Sequence, residues 1–159
     1  MHAATPPDPV LHIALVWPEI PQNTGNVGRL CLGIGARLHL VHPIGFQTDD
    51  KAVRRAGLDY WKHVDVVEHA DLAAFDAWRG DRPTHYFSSH GIGPYTKTPF
   101  QEGDVLVFGR ESVGLPPELV ARGAWTIPMT GPIRSLNLAN AVSVVAYGAL
   151  QRLRPGLFA

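Results

Sequence analysis

The chain has 159 residues, which is enough for one domain with a buried core and too few for two. Lysine plus arginine and aspartate plus glutamate number 14 each, so the formal net charge is zero and any polyanion site must be a local cluster. The single cysteine, Cys31, excludes an intramolecular disulfide, and its apolar helical context is typical of a buried thiol. No secretion signal or membrane-spanning run is recognisable, so we expect a cytoplasmic protein.

Short apolar runs alternate with amphipathic segments, a pattern that predicts an α/β protein with a parallel sheet covered by helices on both faces. Residues 1–11, "MHAATPPDPVL", are proline-rich and are predicted to form a disordered leader, followed by a single domain over 12–159. Strands are predicted at residues 12–17, 37–42, 64–69, 84–89, 104–109 and 124–129. Helices are predicted to begin at Asn23 or Thr24, to span 48–57, 71–80 and 116–123, and to follow Asn137.

The last predicted helix is apolar on more than one side. Leu138, Val142 and Val145 follow helical spacing, while Val144 and Ala146 make much of the opposite face apolar as well. In a domain of this size, such a helix is most easily buried against a second copy of the chain. A homodimer is therefore expected.

The segment after the first strand, "WPEIPQNTGNVGRL", spans residues 17–30 and lacks the glycine fingerprint of dinucleotide-binding folds. Asn23, Thr24 and Asn26 offer polar groups near a helix start, and Arg29 follows one turn into the helix. A helix start attracts anions, and Arg29 could bind a phosphate there. Equally, Asn23 and Thr24 could only cap the helix while Arg29 pairs with an acid, and the residues alone leave both interpretations open.

A second segment, "FGRESVGLP", covers residues 108–116 at the carboxyl end of a predicted strand. Gly109 and Gly114 permit close backbone approach or a positive φ, and Glu111 between them offers an acceptor. Open α/β sheets bind ligands at this end of their strands. An ordinary strand-to-helix turn with a surface glutamate explains the segment equally well.

A third segment, "PIRSLNLANAVSVVAYGAL" at residues 132–150, places Arg134, Ser135, Asn137 and Asn140 at the start of the apolar last helix. Asn137 is explained as an N-cap. Asn140 is not, because an amide inside a buried helix needs a hydrogen-bonding partner. The polar groups at this helix start therefore indicate that something other than solvent faces them.

A weaker feature is the stretch "DDKAVRRAGLDYWKH". It places Lys51, Arg54 and Arg55 on one short helix, followed by Tyr60 and Trp61. Cations beside aromatics suit a phosphate backbone and stackable bases, although a solvated basic face beside core aromatics is the usual explanation. Neither a metal site nor a catalytic triad is indicated, because the eight histidines lack ligand spacing and cysteine partners.

Taken in order, "PEIPQNTGNVGRL", "FGRESVGLP" and "IPMTGPIRSLNLANAVSVVAYGAL" resemble motifs one, two and three of the SPOUT superfamily of RNA methyltransferases. The resemblance extends from Ile13 to Leu153. It implies a SPOUT-type α/β fold with a C-terminal trefoil knot, an obligate homodimer, and S-adenosylmethionine as methyl donor. Within the superfamily the chain is most similar to enzymes that methylate the ribose 2′-hydroxyl of nucleotide 34, a cytidine or modified uridine in the anticodon loop of leucine tRNAs.

Residue by residue, the resemblance implies three sets of site residues in this chain. The cofactor-binding set is Phe87, Gly109, Glu111, Ile127, Met129, Ser135, Leu136 and Asn140. The catalytic set is Asn26, Arg29, Ser135 and Asn140, with Asn26 and Arg29 approaching the cofactor of the other subunit. The RNA-binding set is Lys51, Arg54, Arg55 and Tyr60, and no metal is implied.

Two other functions remain open at this point. The chain could be a SPOUT methyltransferase for another tRNA or rRNA position, or a non-catalytic RNA-binding module that retains the fold. Retention of Asn26, Arg29, Glu111, Ser135 and Asn140 together argues against the second, because a binding module does not need a cofactor pocket. A dinucleotide-binding protein is disfavoured by the missing glycine fingerprint.

Overall fold

The computed structural model describes residues 8–48, 50–56 and 60–159. Its centre is a parallel sheet of seven strands, in the spatial order β3-β2-β1-β6-β4-β7-β5. The strands are β1 His12–Val16, β2 Arg37–Val41, β3 Val66–His69, β4 Thr84–Phe87, β5 Gly93–Pro94, β6 Val105–Phe108 and β7 Ala124–Thr126. The predicted parallel α/β sheet is thus confirmed.

The described residues form five α-helices around the sheet: α1 Pro21–Ile34, α2 Lys51–Ala56, α3 Leu72–Arg79, α4 Pro117–Val120 and α5 Leu138–Leu153. Helix α3 begins and ends where the sequence predicts. The Asp71 carboxylate accepts from the Ala74 backbone N–H, and Gly80 follows the last turn. Asn137 is the N-cap of α5, as predicted.

Several predicted boundaries were wrong. Helix α1 begins at Pro21, so Asn23 and Thr24 lie inside its first turn and do not cap it. The six predicted strands are each one to three residues shorter in the structure, and the two-residue strand β5 was not predicted. Val10 and Leu11, assigned to the leader, are buried in the core, so the folded domain begins before residue 12. Residues 1–7 of that leader lie outside the described part of the chain.

The sheet is covered on both faces, as a doubly wound topology requires. One face packs under α1 and α5, where Val27, Cys31, Val142 and Val145 join the side chains of β1, β2 and β6. The other face packs under α3 and α4, which bury Phe75 and Leu119. The trefoil knot concerns chain threading and stays a prediction from the resemblance.

Three buried histidines lie side by side on β1, β2 and β3. His12 Nδ1 is 2.9 Å from His39 Nε2, and His39 Nδ1 is 2.9 Å from His69 Nε2. Trp78 of α3 covers all three rings. Burial lowers the pKa of His12 to about 4 and the pKa of His39 further still, so the rings are neutral at pH 7.

The strand order reverses between β1 and β6, which are neighbours although the chain leaves them toward opposite ends of the sheet. The loops after these two strands therefore diverge and leave a crevice beyond the carboxyl edge. Ligands of open α/β sheets bind in such crevices. Within the described residues, no helix is long and apolar enough to span a membrane.

Candidate active site

A cavity of about 480 Å³ lies at the carboxyl edge of the sheet, beyond β4, β6 and β7. Its volume is in the range of small-molecule and cofactor sites. The loops after β4, β6 and β7 and the first turn of α1 form its walls. Of the residues assigned to the cofactor, it is lined by Phe87, Gly109, Glu111, Ile127, Met129, Ser135 and Leu136.

The loop after β6 is closed on itself by a tight backbone contact. A side chain at Gly109 would collide with the backbone of Gly114 and Leu115, so this position needs a glycine. Arg110 and Gly114 form an antiparallel bridge, and Gly114 has a φ of 72°. Main-chain groups of a closed loop therefore form one wall of the cavity.

Two glutamates join this loop to the start of α1. The Glu111 carboxylate accepts from the backbone N–H groups of Glu19 at 2.9 Å and Ile20 at 2.8 Å. In return, the Glu19 carboxylate accepts from the backbone N–H of Ser112 at 3.0 Å and from its hydroxyl at 2.6 Å. Burial raises the pKa of Glu111, whereas the hydrogen bonds from Ser112 lower the pKa of Glu19. We call these four bonds the carboxylate clasp.

A second connection joins α1 to α5 across the cavity wall. Asn137 Oδ1 accepts from the backbone N–H groups of Ala139 at 2.9 Å and Asn140 at 3.3 Å, which caps α5. Asn137 Nδ2 donates to Asn23 Oδ1 at 3.0 Å. Asn23 is buried and lines the cavity. The three sequence segments around the cavity are therefore linked by hydrogen bonds through the clasp and this amide pair.

Asn140 does not fit its expected place. Its side chain is exposed, and it is not among the residues that line the cavity. The burial argument for Asn140 was therefore wrong, because it lies on the side of the first turn of α5 that faces away from the core. Its backbone N–H, held by Asn137, is its connection to the site.

Asn26 and Arg29 also lie outside the cavity of their own chain. Both are exposed on α1, and the Arg29 guanidinium carbon lies 5.6 Å from the centroid of the Tyr60 ring. Helix α2 packs closely on α1, because Gly25 leaves room for the backbone of Val53. This packing brings Arg29 and Tyr60 near the helix that carries Lys51, Arg54 and Arg55, all of which are exposed.

A sequence model of the family described as the SpoU rRNA Methylase family matches residues 10–147. The chain belongs to this family. The resemblance to the SPOUT methyltransferases is thereby confirmed, and with it the assignment of the chain to a methyltransferase family.

Relatives within the SpoU methylase family cover nearly the whole chain. The tRNA (cytidine(34)-2′-O)-methyltransferase of Burkholderia pseudomallei is 46% identical, over 88% of this chain and 94% of its own. The enzyme of the same name from Escherichia coli K12 is 43% identical, over 91% of this chain and 94% of its own. A solved structure described as giving insight into 2-OH methylation of C/U34 on tRNA has 48% identity and a TM-score of 0.87, covering 91% and 97% of the two chains.

A more distant solved structure shares the fold. The AdoMet-bound rRNA methyltransferase from Sinorhizobium meliloti matches with a TM-score of 0.82 at 24% identity, over 93% of this chain and 58% of its own. AdoMet is S-adenosylmethionine. A solved protein that shares the fold of this chain thus holds that cofactor.

Sequence reasoning missed several residues that line the cavity. Ser88, Ser89 and His90 follow β4, Arg110 follows Gly109, and Thr126 ends β7. Their common signal is position, because each lies at or just after the carboxyl end of a parallel strand. Among the described residues, no group of three or more histidine, cysteine or acidic side chains could hold a metal ion.

Proposed function

We propose that this SpoU methylase uses S-adenosylmethionine to methylate the ribose 2′-hydroxyl of nucleotide 34, a cytidine or modified uridine, in leucine tRNAs. The observation that carries the proposal is the single cavity built from all three motifs, in a chain 43–46% identical to enzymes named for this reaction. A tRNA substrate is consistent with the cytoplasmic location expected from the sequence.

The cavity fits S-adenosylmethionine in size and in the chemistry of its lining. Phe87, Ile127 and Leu138 provide apolar surface for an adenine ring, and the closed loop after Gly109 provides main-chain polar groups. Ser135 and Arg134 stand at the mouth and suit the hydroxyl and carboxylate groups of the cofactor. When bound, the cofactor supplies an electrophilic methyl group on a positively charged sulfur.

The remaining chemistry is alignment of the ribose and removal of its hydroxyl proton. We assign Arg29 of the opposite subunit to the phosphate next to the target ribose, where its charge also stabilises the developing alkoxide. A guanidinium holds its proton too tightly to serve as a base, so the base is left unassigned. Asn26, one turn before Arg29, is assigned to orienting the same sugar-phosphate unit.

The RNA surface extends from this site over α2. Lys51, Arg54 and Arg55 provide local positive charge in a chain with no net charge, and Tyr60 offers an aromatic face. Phosphate contacts by such cations position the RNA without reading its sequence. We therefore expect tRNA affinity to decrease with salt concentration.

The deciding experiment is methyl transfer from labelled S-adenosylmethionine to tRNA from cells that lack wobble 2′-O-methylation. Mass spectrometry then locates the methylated nucleoside. Methyl on the ribose of nucleotide 34 of leucine tRNAs supports the proposal. Methyl at another position would keep the reaction and replace the substrate, and no transfer despite cofactor binding would favour a non-catalytic RNA-binding role.

A paired variant tests the role of Arg29. Arg29→Ala should lower kcat by about a hundredfold or more through loss of one charge in the reacting complex, while the melting temperature stays unchanged. Arg154→Ala is the matched control, because Arg154 is an exposed arginine that pairs with Glu102 away from the cavity. Full activity of the Arg29→Ala enzyme would show that Arg29 has no role in the reaction.

A further inference from the structure

A second cavity, of about 560 Å³, lies on the other side of the loop after β6, against α4. It shares His90, Arg110, Val113 and Gly114 with the cofactor cavity. The rest of its lining comes from Trp17 at the end of β1 and from Leu115, Pro116, Pro117, Val120 and Ala121. The two cavities are thus neighbours separated by one loop.

Trp17 has an unusual backbone and an unpaired indole nitrogen. Its φ is 58°, in the left-handed region, which is costly for a bulky side chain. Trp17 Nε1 is buried and has no hydrogen-bond partner among the described residues. Strained residues of this kind cluster at functional sites, where the surrounding structure holds them in place.

Arg110 lies next to the indole. Its guanidinium carbon is 5.7 Å from the centroid of the Trp17 ring, and its Nε is likewise buried without a partner among the described residues. An arginine over a tryptophan ring at this distance forms a cation–π pair, which places a cationic and an aromatic group side by side in the lining of the second cavity. Buried donors without acceptors are rare in folded proteins, so these two mark the wall of the second cavity as a candidate functional surface.

The lining fits a nucleotide. Trp17, Leu115 and Val120 offer apolar and aromatic surface for a base, while Arg110 and His90 offer cationic or polar groups for a phosphate. None of the lining residues is acidic. Bases of single-stranded RNA are bound in this way, by stacking on aromatic side chains or on arginine planes.

We propose that this second cavity binds the base of a nucleotide next to the methylated one, once the anticodon loop is on the enzyme. This inference rests on the proposed function. Because Arg110 and His90 line both cavities, they can contact the phosphate that joins the two nucleotides. The base in the second cavity then holds the target ribose in register with the cofactor.

Filling the cavity tests the proposal. Ala121→Trp and Pro117→Trp each place a ring into the second cavity from α4 or its end, and both residues are exposed enough to be changed. Ala73→Trp, at an exposed position of α3 outside both cavities, is the matched control. We expect both filling variants, and not the control, to raise the KM for tRNA about tenfold with unchanged affinity for S-adenosylmethionine.

A second measurement uses the wild-type enzyme and modified RNA. In tRNA with an abasic site at one of the two nucleotides flanking nucleotide 34, we expect a similar rise in KM. The Ala121→Trp enzyme should show no additional rise with that RNA, because the base and the cavity act together.

Each other result would overturn the inference. An unchanged KM in both filling variants, a loss of cofactor affinity in a folded variant, or abasic effects that persist undiminished in Ala121→Trp would each show that the cavity does not hold this base. If both filling variants misfold, the absence of any abasic effect on the wild-type enzyme overturns the inference. Failure of the proposed function is distinguishable, since the wild-type enzyme would then transfer no methyl to nucleotide 34.

Discussion

Asn137 shows how much of the site depends on a single side chain. Its oxygen caps α5 and its amide nitrogen holds Asn23 on α1. An aspartate could perform the first task but not the second, since a carboxylate has no N–H group to donate. The two roles can therefore be separated experimentally.

We expect Asn137→Ala to lower the free energy of unfolding by about 1–2 kcal/mol, because it removes the cap and leaves Asn23 without its donor. Asn137→Asp should recover most of the cap but place a carboxylate against Asn23 Oδ1. Cofactor affinity should then be reduced in both variants while stability is reduced mainly in the first. Denaturant unfolding and a cofactor titration measure the two effects, and equal behaviour of the variants would contradict the separation.

Among the elements, α1 begins with a proline at its first helical position but has no side-chain cap of its own. No side chain near Pro21 caps it, and the N–H groups of Glu19 and Ile20 are bound instead by Glu111, about 90 residues later. The carboxylate clasp thus couples the helix carrying Arg29 to the loop that lines the cofactor cavity. The predicted start at Asn23 or Thr24 was wrong because it weighed the polar residues above Pro21, while the contact with Glu111 has no local sequence signal.

Glu111→Gln should destabilise the protein by about 1–2 kcal/mol. An amide oxygen accepts more weakly than a carboxylate at a helix start, and the amide NH₂ would face the backbone N–H groups of Glu19 and Ile20. Glu118→Gln is the control, since Glu118 is an exposed acid in the first turn of α4. We expect less than about 0.5 kcal/mol from that change. Thermal unfolding of the two variants at pH 7 measures the difference, and equal losses would argue against the clasp.

The row of histidines across β1, β2 and β3 has a fixed proton count. Three neutral rings carry three N–H groups, and the two ring-to-ring contacts use two of them. The third N–H therefore lies at one end, on Nε2 of His12 or Nδ1 of His69. Any further proton would place a positive charge inside this buried row, which burial and the neighbouring rings oppose.

This row predicts that acid destabilises the fold. The pKa of His12 is near 4 in the folded state and near 6.5 in the unfolded chain, so its stabilising contribution is complete above pH 6.5 and is lost as the pH falls toward 4. Replacing His12 by Gln should reduce the slope of stability against pH in that window by about 1.4 kcal/mol per pH unit. Urea unfolding at several pH values measures the slope.

His90→Gln is the control for this measurement, because His90 is exposed. It should leave the slope unchanged. If the stability of the His12→Gln protein has the wild-type slope against pH, protonation of His12 does not destabilise the fold, and the prediction is wrong.

The sequence predicted elements better than it predicted contacts. Periodicity and caps are local, so α3, the parallel strands and the Asn137 cap were found, and the cavity residues carried over from the resemblance mostly line one cavity. Strand β5 is two residues long and leaves no periodic signal. The exposure of Asn140 depends on how α5 is rotated against the sheet, which only tertiary packing determines.

For the whole molecule, the positions of Asn26 and Arg29 have a consequence for assembly. Both lie outside the cavity of their own chain, as the proposed exchange between two subunits requires. Each active site of the homodimer would then combine the cavity of one chain with α1 of the other. Neither subunit alone would be complete.

Mixed dimers test this arrangement. We expect Arg29→Ala and Ser135→Arg homodimers to be inactive, the first for lack of its phosphate contact and the second because a long side chain blocks the cavity mouth. Refolding the two together should restore about a quarter of the wild-type activity, since half of the dimers are mixed and each has one complete site. A mixture that stays inactive would show that Arg29 serves its own cavity.

The neighbours β1 and β6 also govern the order in which the protein can be assembled during synthesis. His12 pairs with Val105, so one edge of β1 has no partner until more than 90 further residues have left the ribosome. Strand β2 can pair with β1, and β3 with β2, before β6 has been made. The part of the protein that carries Arg29 and the basic helix can thus form on the nascent chain, whereas the cofactor cavity waits for the start of α5, which lines it as far as Ala141.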